Sequence, residues 1–80
     1  MRGETIDSRA RRRADSILGM LADGANPFSV AGQKIRDMPG VWSFAIGKRH
    51  RLVVRRTQGG FQEVFFATHE EYNARLDRLR

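Results

Sequence analysis

The chain contains no cysteine. Disulfide staples and thiolate metal sites are therefore excluded, and a domain of this size must rely on one apolar core. Its two histidines have no acidic cluster beside them, so neither a metal nor any other cofactor is expected. No apolar run approaches the length that spans a bilayer, and no signal-peptide core is present. The expectation is a cytoplasmic protein with no membrane partner. Internal repeats and low-complexity segments are also lacking.

What is present is a globular composition, with 40% hydrophobic residues, 30% charged residues and seven aromatics among 80 positions. That length makes residues 1–80 a single domain. The net charge is +6 and the pI about 11.3, a balance that favours nucleic acid or an acidic protein as partner. Thirteen of the fifteen basic residues are arginine, whose planar fork matches phosphate or carboxylate with two parallel hydrogen bonds. An arginine-rich codon usage would explain that ratio equally well. It would not explain why Lys48, Arg49, Arg51, Arg55 and Arg56 fall together between Gly47 and Gln58 with no acid among them.

From Asp7 to Ala22 the apolar positions Ala10, Ala14, Ile17, Leu18 and Leu21 recur at helical spacing and predict one buried face. Asp7 or Ser8 is the expected N-cap, Gly24 and Asn26-Pro27 close the end, and Met1–Glu4 read as frayed. Arg9, Arg11, Arg12 and Arg13 oppose the helix dipole in the first turns. A solvated face is their plainer reading, a binding use the other. Phe28–Pro39, weakened as a helix by Gly32, reads as loop with one or two helical turns.

Three strands follow, with Gly47-Lys48-Arg49 and Gln58-Gly59-Gly60 as three-residue hairpin loops. Those loops set Ile46 opposite His50, Phe44 opposite Leu52 and Trp42 opposite Val54. In the second hairpin they set Thr57 opposite Phe61, Leu52 opposite Phe66 and Val54 opposite Val64. One side of the sheet then carries Trp42, Phe44, Ile46, Leu52, Val54, Val64 and Phe66, an apolar surface to pack on the helix. A slip of one residue would destroy that segregation. The other side carries Ser43, Ala45, Arg51, Val53, Arg55, Glu63, Phe65 and Ala67, with Arg55 and Glu63 as a cross-strand ion pair. Thr68 and Glu71 have capping-box spacing, and Tyr72, Leu76 and Leu79 make a stripe on a short last helix. The fold class is α+β: a helix on a three-stranded antiparallel sheet, then a short helix docking on the sheet.

Arg49, Arg51, His69 and Tyr72 are expected to converge at one end of the basic side, with Phe65 as a flat ring on which an unpaired base can stack. RNA carries its own nucleophile, the 2′-hydroxyl beside the scissile phosphate. Cleavage then needs a base, an acid and cations that stabilise charge building on phosphorus. His69 suits proton transfer near neutrality, Tyr72 suits the acid, and Arg51 suits a phosphate clamp. A single histidine among arginines also fits a binding or structural role. Tyr72 also fits packing, since it heads an apolar stripe. His50 points to the core side beside Ile46 and reads as structural.

The run Gly40-Val41-Trp42-Ser43-Phe44-Ala45-Ile46-Gly47-Lys48-Arg49-His50-Arg51-Leu52-Val53 resembles the G-x-W-S-x-x-I-x-x-x-H-R-L-V signature of YoeB-like toxins, in the RelE/ParE superfamily of type II toxin–antitoxin systems. Asn26-Pro27-Phe28 upstream and Phe65-Phe66-Ala67-Thr68-His69-Glu70-Glu71-Tyr72 downstream are similar to the same superfamily, the latter to its HigB-type branch. The likeness covers roughly residues 13–72. It implies a compact α+β toxin that cleaves mRNA, usually on the ribosome, and is neutralised by an acidic-tailed antitoxin. Arg51 matches the signature's catalytic arginine, and His69 has the spacing of the family's C-terminal catalytic histidine. Tyr72 lies two positions from the expected terminal tyrosine. The pattern departs in two places. The family's loop glutamate falls near Gly32, leaving Asp37 as the acid of that loop, and nothing before the helix supplies the family's first edge strand. An open sheet edge is the expected consequence.

The resulting expectation is a metal-independent mRNA endoribonuclease toxin. Arg51, Arg49, His69 and Tyr72 form its catalytic set, and Lys48, Arg55, Arg56 and Phe65 its RNA track. The alternative is a non-nuclease relative, either a ParE-like gyrase inhibitor or an inactive RNA- or ribosome-binding module. The missing glutamate favours the alternative; His69 beside Arg51 favours the nuclease.

Overall fold

A computed structural model of the chain describes residues 6–79. The order of elements is helix α1 (Ile6–Ala22), a 3-10 turn (Pro27–Val30), strands β1 (Gly32–Lys34), β2 (Val41–Ile46), β3 (His50–Thr57) and β4 (Gly60–Thr68), and helix α2 (His69–Leu79). The strands form one antiparallel sheet in the order β1-β2-β3-β4. The α+β class is as expected, but the sheet has four strands instead of three.

Helix α1 ends where its sequence directs. Gly24 adopts φ +99°, the Gly24 amide donates to the Leu21 carbonyl and the Ala25 amide to the Met20 carbonyl. This pair of bonds satisfies the last carbonyls through a glycine free to turn left-handed. Asp7 and Ser8 lie inside the helix, not at its cap, and Met1–Glu4 are outside the described residues. The Asn26 side chain accepts from the Phe28 amide at 2.9 Å and starts the 3-10 turn at Pro27. The segment expected to be loop then yields β1, whose Gly32 and Lys34 lie opposite Phe44 and Trp42. β1 and β4 are the two edge strands of the sheet.

The register of β2 against β3 is as read from the alternation, with Ile46 opposite His50, Phe44 opposite Leu52 and Trp42 opposite Val54. The second hairpin differs. Thr57 pairs with Gly60, Arg56 with Phe61 and Val54 with Glu63, so the turn is two residues, Gln58-Gly59. Val53 pairs with Phe65 and Leu52 with Phe66, which leaves Val64 as one extra residue in β4. That bulge reverses the faces on its hairpin side. Phe61 joins the α1 core, Val64 joins the opposite cluster, and Glu63 leaves Arg55 for α1.

The sheet is covered on both faces. Ala10, Ala14, Ile17 and Leu21 of α1 pack on Trp42, Phe44, Ile46, Leu52 and Val54. On the other side Leu76 and Tyr72 of α2 meet Val53, Phe65 and Ala67, with Ile35 and Val41 extending the cluster. The arginine-bearing side is therefore not uncovered. Leu52, Val53 and Val54 are each 0% exposed, the mark of a strand buried on both faces. Each side chain so buried contributes about 1.5–3 kcal/mol.

Candidate functional site

Two local devices bring the expected site residues together. The turn between β2 and β3 needs a left-handed residue, which Gly47 supplies at φ +62°, and it carries Lys48 and Arg49 to the exposed end of the sheet. At that same end β4 passes directly into α2. The Glu71 amide donates to Thr68 Oγ1 at 3.3 Å and the Thr68 amide to Glu71 Oε1 at 3.5 Å, so the expected capping box forms. The His69 amide in turn donates to the Arg49 carbonyl. His69 and Arg49 are thus adjacent through their backbones, and both side chains are exposed.

Arg51, opposite Ala45 and Ala67, is half-buried, and its guanidinium lies 5.8 Å from the Tyr72 ring centroid. Its Nη1 also donates to the His50 carbonyl at 3.3 Å. Tyr72 is half-buried in the α2 cluster, so it packs and still presents a face to Arg51. The packing reading of Tyr72 is the one its place in the α2 cluster bears out. Glu70 and Glu71 give the first turn of α2 two carboxylates.

Other expected residues stand elsewhere. Phe65 is 8% exposed, tilted on Tyr72 at 6.4 Å between ring centroids and covered by the Arg75 guanidinium at 5.9 Å. Burial under α2 removes it as a stacking platform. Arg55 lies four residues along β3 from Arg51, about 13 Å at strand spacing. Arg56 lies at the far end of the sheet, its guanidinium 5.1 Å from the Phe61 ring and its amide bonded to the Gly40 carbonyl. His50 is buried and stacked on Phe66 at 5.3 Å with the rings 6° from parallel. Its core-side reading holds.

Glu63 is not Arg55's partner. Arg11 holds it with two bonds, Nη2–Oε1 at 2.7 Å and Nη1–Oε2 at 2.9 Å, while Arg11 Nη2 also reaches Asp15 Oδ1 at 2.6 Å. The Arg11 hydrogen bond keeps the Glu63 carboxyl below its ordinary range, and Glu63 in turn raises the guanidinium. Gly32, near which the loop glutamate of the YoeB pattern falls, lies in β1. A Cβ there would meet Phe44 Cε2 at 2.7 Å and the Pro27 carbonyl oxygen at 2.8 Å, so no longer side chain fits.

Residues 8–74 match the family model of the ParE-like toxin domain. The chain belongs to that family. Neither a curated protein nor a solved structure matches it. The superfamily is the one to which the Trp42-Ser43 and His50-Arg51-Leu52-Val53 run points, and a ParE-like toxin has an antitoxin as its partner. No helix among the described residues is long and apolar enough to cross a membrane.

Sequence reasoning gave Arg75 no part in the site and left Arg9 and Arg13 between a solvated face and a binding use. Arg75 roofs Phe65 one helical turn after Tyr72, a spacing that could have flagged it. Arg9 and Arg13 flank a groove beside the Gly47-Lys48-Arg49 turn. Their i, i+4 spacing beside Ala10 puts both on one side of α1.

Proposed function

We propose that this toxin is a metal-independent endoribonuclease that cuts mRNA on the ribosome. The observation that carries the reading is the bond from the His69 amide to the Arg49 carbonyl, which ties the start of α2 to the basic turn. His69 and Arg49, both exposed, are then neighbours through their backbones, and the Tyr72 ring stands against the Arg51 guanidinium. Arg51 and Arg49 grip the scissile phosphate and stabilise the charge that gathers on its oxygens. The 2′-oxygen, as its proton leaves, attacks phosphorus, and the 5′-oxygen departs with a proton. A 2′,3′-cyclic phosphate and a 5′-hydroxyl result. His69 transfers protons and the Tyr72 phenol assists. Lys48 and Arg55 extend the track along the RNA backbone. The reading also has the toxin act in the cytoplasm, neutralised by an acidic antitoxin.

A second reading, a gyrase inhibitor without nuclease activity, is favoured by two observations. The matching family model is ParE-like, and the pattern's loop glutamate is missing, with Gly32 near its position leaving no room for a side chain. Induced expression of the wild type, His69→Ala and Arg51→Ala separates the two. Under the nuclease reading the wild type arrests growth with mRNA cut to cyclic-phosphate ends, and each variant loses cleavage by about 10²-fold or more. Arrest and cleavage that survive His69→Ala would refute the proton-transfer role. DNA damage with intact mRNA would establish the gyrase reading instead.

A further inference from the structure

Phe28 is 64% exposed, more than any other large apolar side chain among the described residues. The turn that carries it is nevertheless tightly fixed. Pro27 is buried, Asn26 Oδ1 accepts from the Phe28 amide at 2.9 Å, and Ser29 Oγ donates to the Asn26 carbonyl at 2.6 Å. Ala31 closes the turn at φ +68°, where its amide donates to the Phe28 carbonyl at 3.2 Å. A residue with a Cβ is strained in that left-handed conformation, so the outward ring is maintained against a backbone cost. The Trp42 ring meets it at 81° with 4.7 Å between centroids, a perpendicular contact that fixes the ring in place.

Two cations share that side of the sheet. Lys34 lies directly opposite Trp42, and residues paired across antiparallel strands project to the same face. Arg56 follows Val54, the other partner of Trp42, by two residues on β3. Its guanidinium lies against Phe61 of the α1-side core, and with Asn26 and Pro27 it lines a groove of about 350 Å³. Gly40, whose carbonyl accepts from the Arg56 amide, puts no side chain beside it.

One flat open ring between two cations matches an unpaired base and its phosphates. Every base has a π-face to stack, and the phosphates on either side suit Lys34 and Arg56. A protein partner would need a wide apolar patch, but Trp42 beside the ring is 7% exposed and Pro27 is buried. We propose that Phe28, Lys34 and Arg56 form a contact for single-stranded nucleic acid, with one base stacked on Phe28. The contact lies on the α1 side of the sheet, whereas the Arg51–Tyr72 pair is on the α2 side. It stands whether or not the latter cleaves RNA.

The test is a chemical-shift titration of the ¹⁵N-labelled toxin with pentathymidylate, which lacks the 2′-hydroxyl and so cannot be cut by its own sugar. An abasic strand of the same length and charge is the control. The expected result is movement of the Phe28 and Lys34 amides and the Trp42 indole N–H, with the abasic strand about five-fold or more weaker. Phe28→Leu keeps an apolar side chain without the flat ring and weakens pentathymidylate at these signals by a similar factor, while Phe28→Tyr retains binding. Lys34→Gln with Arg56→Gln weakens both strands and lowers the salt dependence. Thermal unfolding verifies that each variant is folded. Equal binding of the two strands would reduce the site to surface charge and overturn the proposal. So would unchanged binding by Phe28→Leu, or movement of the same signals with toxin concentration alone, which would make Phe28 a contact between copies. None of these measurements involves RNA cleavage or Arg51, so a failed nuclease reading leaves the result interpretable.

Discussion

Replacing Glu63 with glutamine tests the tie that the β4 bulge creates between the sheet and α1. Arg11 approaches Glu63 with two parallel bonds of 2.7 and 2.9 Å, a geometry in which charged hydrogen bonds contribute about 1.5–3 kcal/mol when shielded from water. The side chains are 39% and 32% exposed, so screening reduces the coupling to about 1 kcal/mol. For a domain of this length that corresponds to a fall of about 4–8 °C in Tm. Arg11→Gln should cost more than the coupling, because the guanidinium also holds Asp15 and lies 5.2 Å from the Phe66 ring. A double-mutant cycle of Arg11→Gln and Glu63→Gln, read by urea unfolding through Trp42 fluorescence, isolates the pair. The pH dependence has a definite sign. Arg11 depresses the folded-state pKa of Glu63, so the coupling is fully present above the unfolded value of about 4.3 and is lost as pH falls through the folded value. A coupling below a few tenths of a kcal/mol at neutral pH would refute the reasoning. So would one that persists unchanged when the Glu63 carboxyl is protonated.

Gly32→Ala should destabilise the fold by about 1–3 kcal/mol, because the new Cβ would lie 2.7 Å from Phe44 and 2.8 Å from the Pro27 carbonyl, and a lowered urea midpoint would report it. Thr68→Ala should cost about 1 kcal/mol and speed amide exchange in the first turn of α2, since it removes the Oγ1 acceptor of the Glu71 amide.

The parts of this fold legible in the chain are those encoded by near neighbours. The 3.6-residue spacing of Ala10, Ala14, Ile17 and Leu21, the glycine stop at Gly24 and the capping box of Thr68 with Glu71 each act within a turn or two of helix. The alternation from Trp42 to Val54 specifies its own register, since any slip would bring charge into the core. Strand β1 lacks such a signal. Gly32, Gln33 and Lys34 have no apolar alternation, and they become a strand because β2 offers an unpaired edge. The second face of the sheet was readable in part. The unbroken Leu52-Val53-Val54 run is what a strand covered on both sides requires, and α2 supplies the second cover.

Sequence alone determined the helices, the pairing of β2 with β3 and the gathering of basic residues at the turn after Ile46, because each follows from short-range periodicity and turn chemistry. Tertiary structure decided which of four neighbouring arginines turns inward. Arg11 meets Glu63 because one extra residue, Val64, reverses the side chains of β4, whereas Arg9 and Arg13 remain outside around the groove. A one-residue bulge and the rotation of a helix on its sheet are long-range packing outcomes, and identical side chains in sequence carry no mark of them.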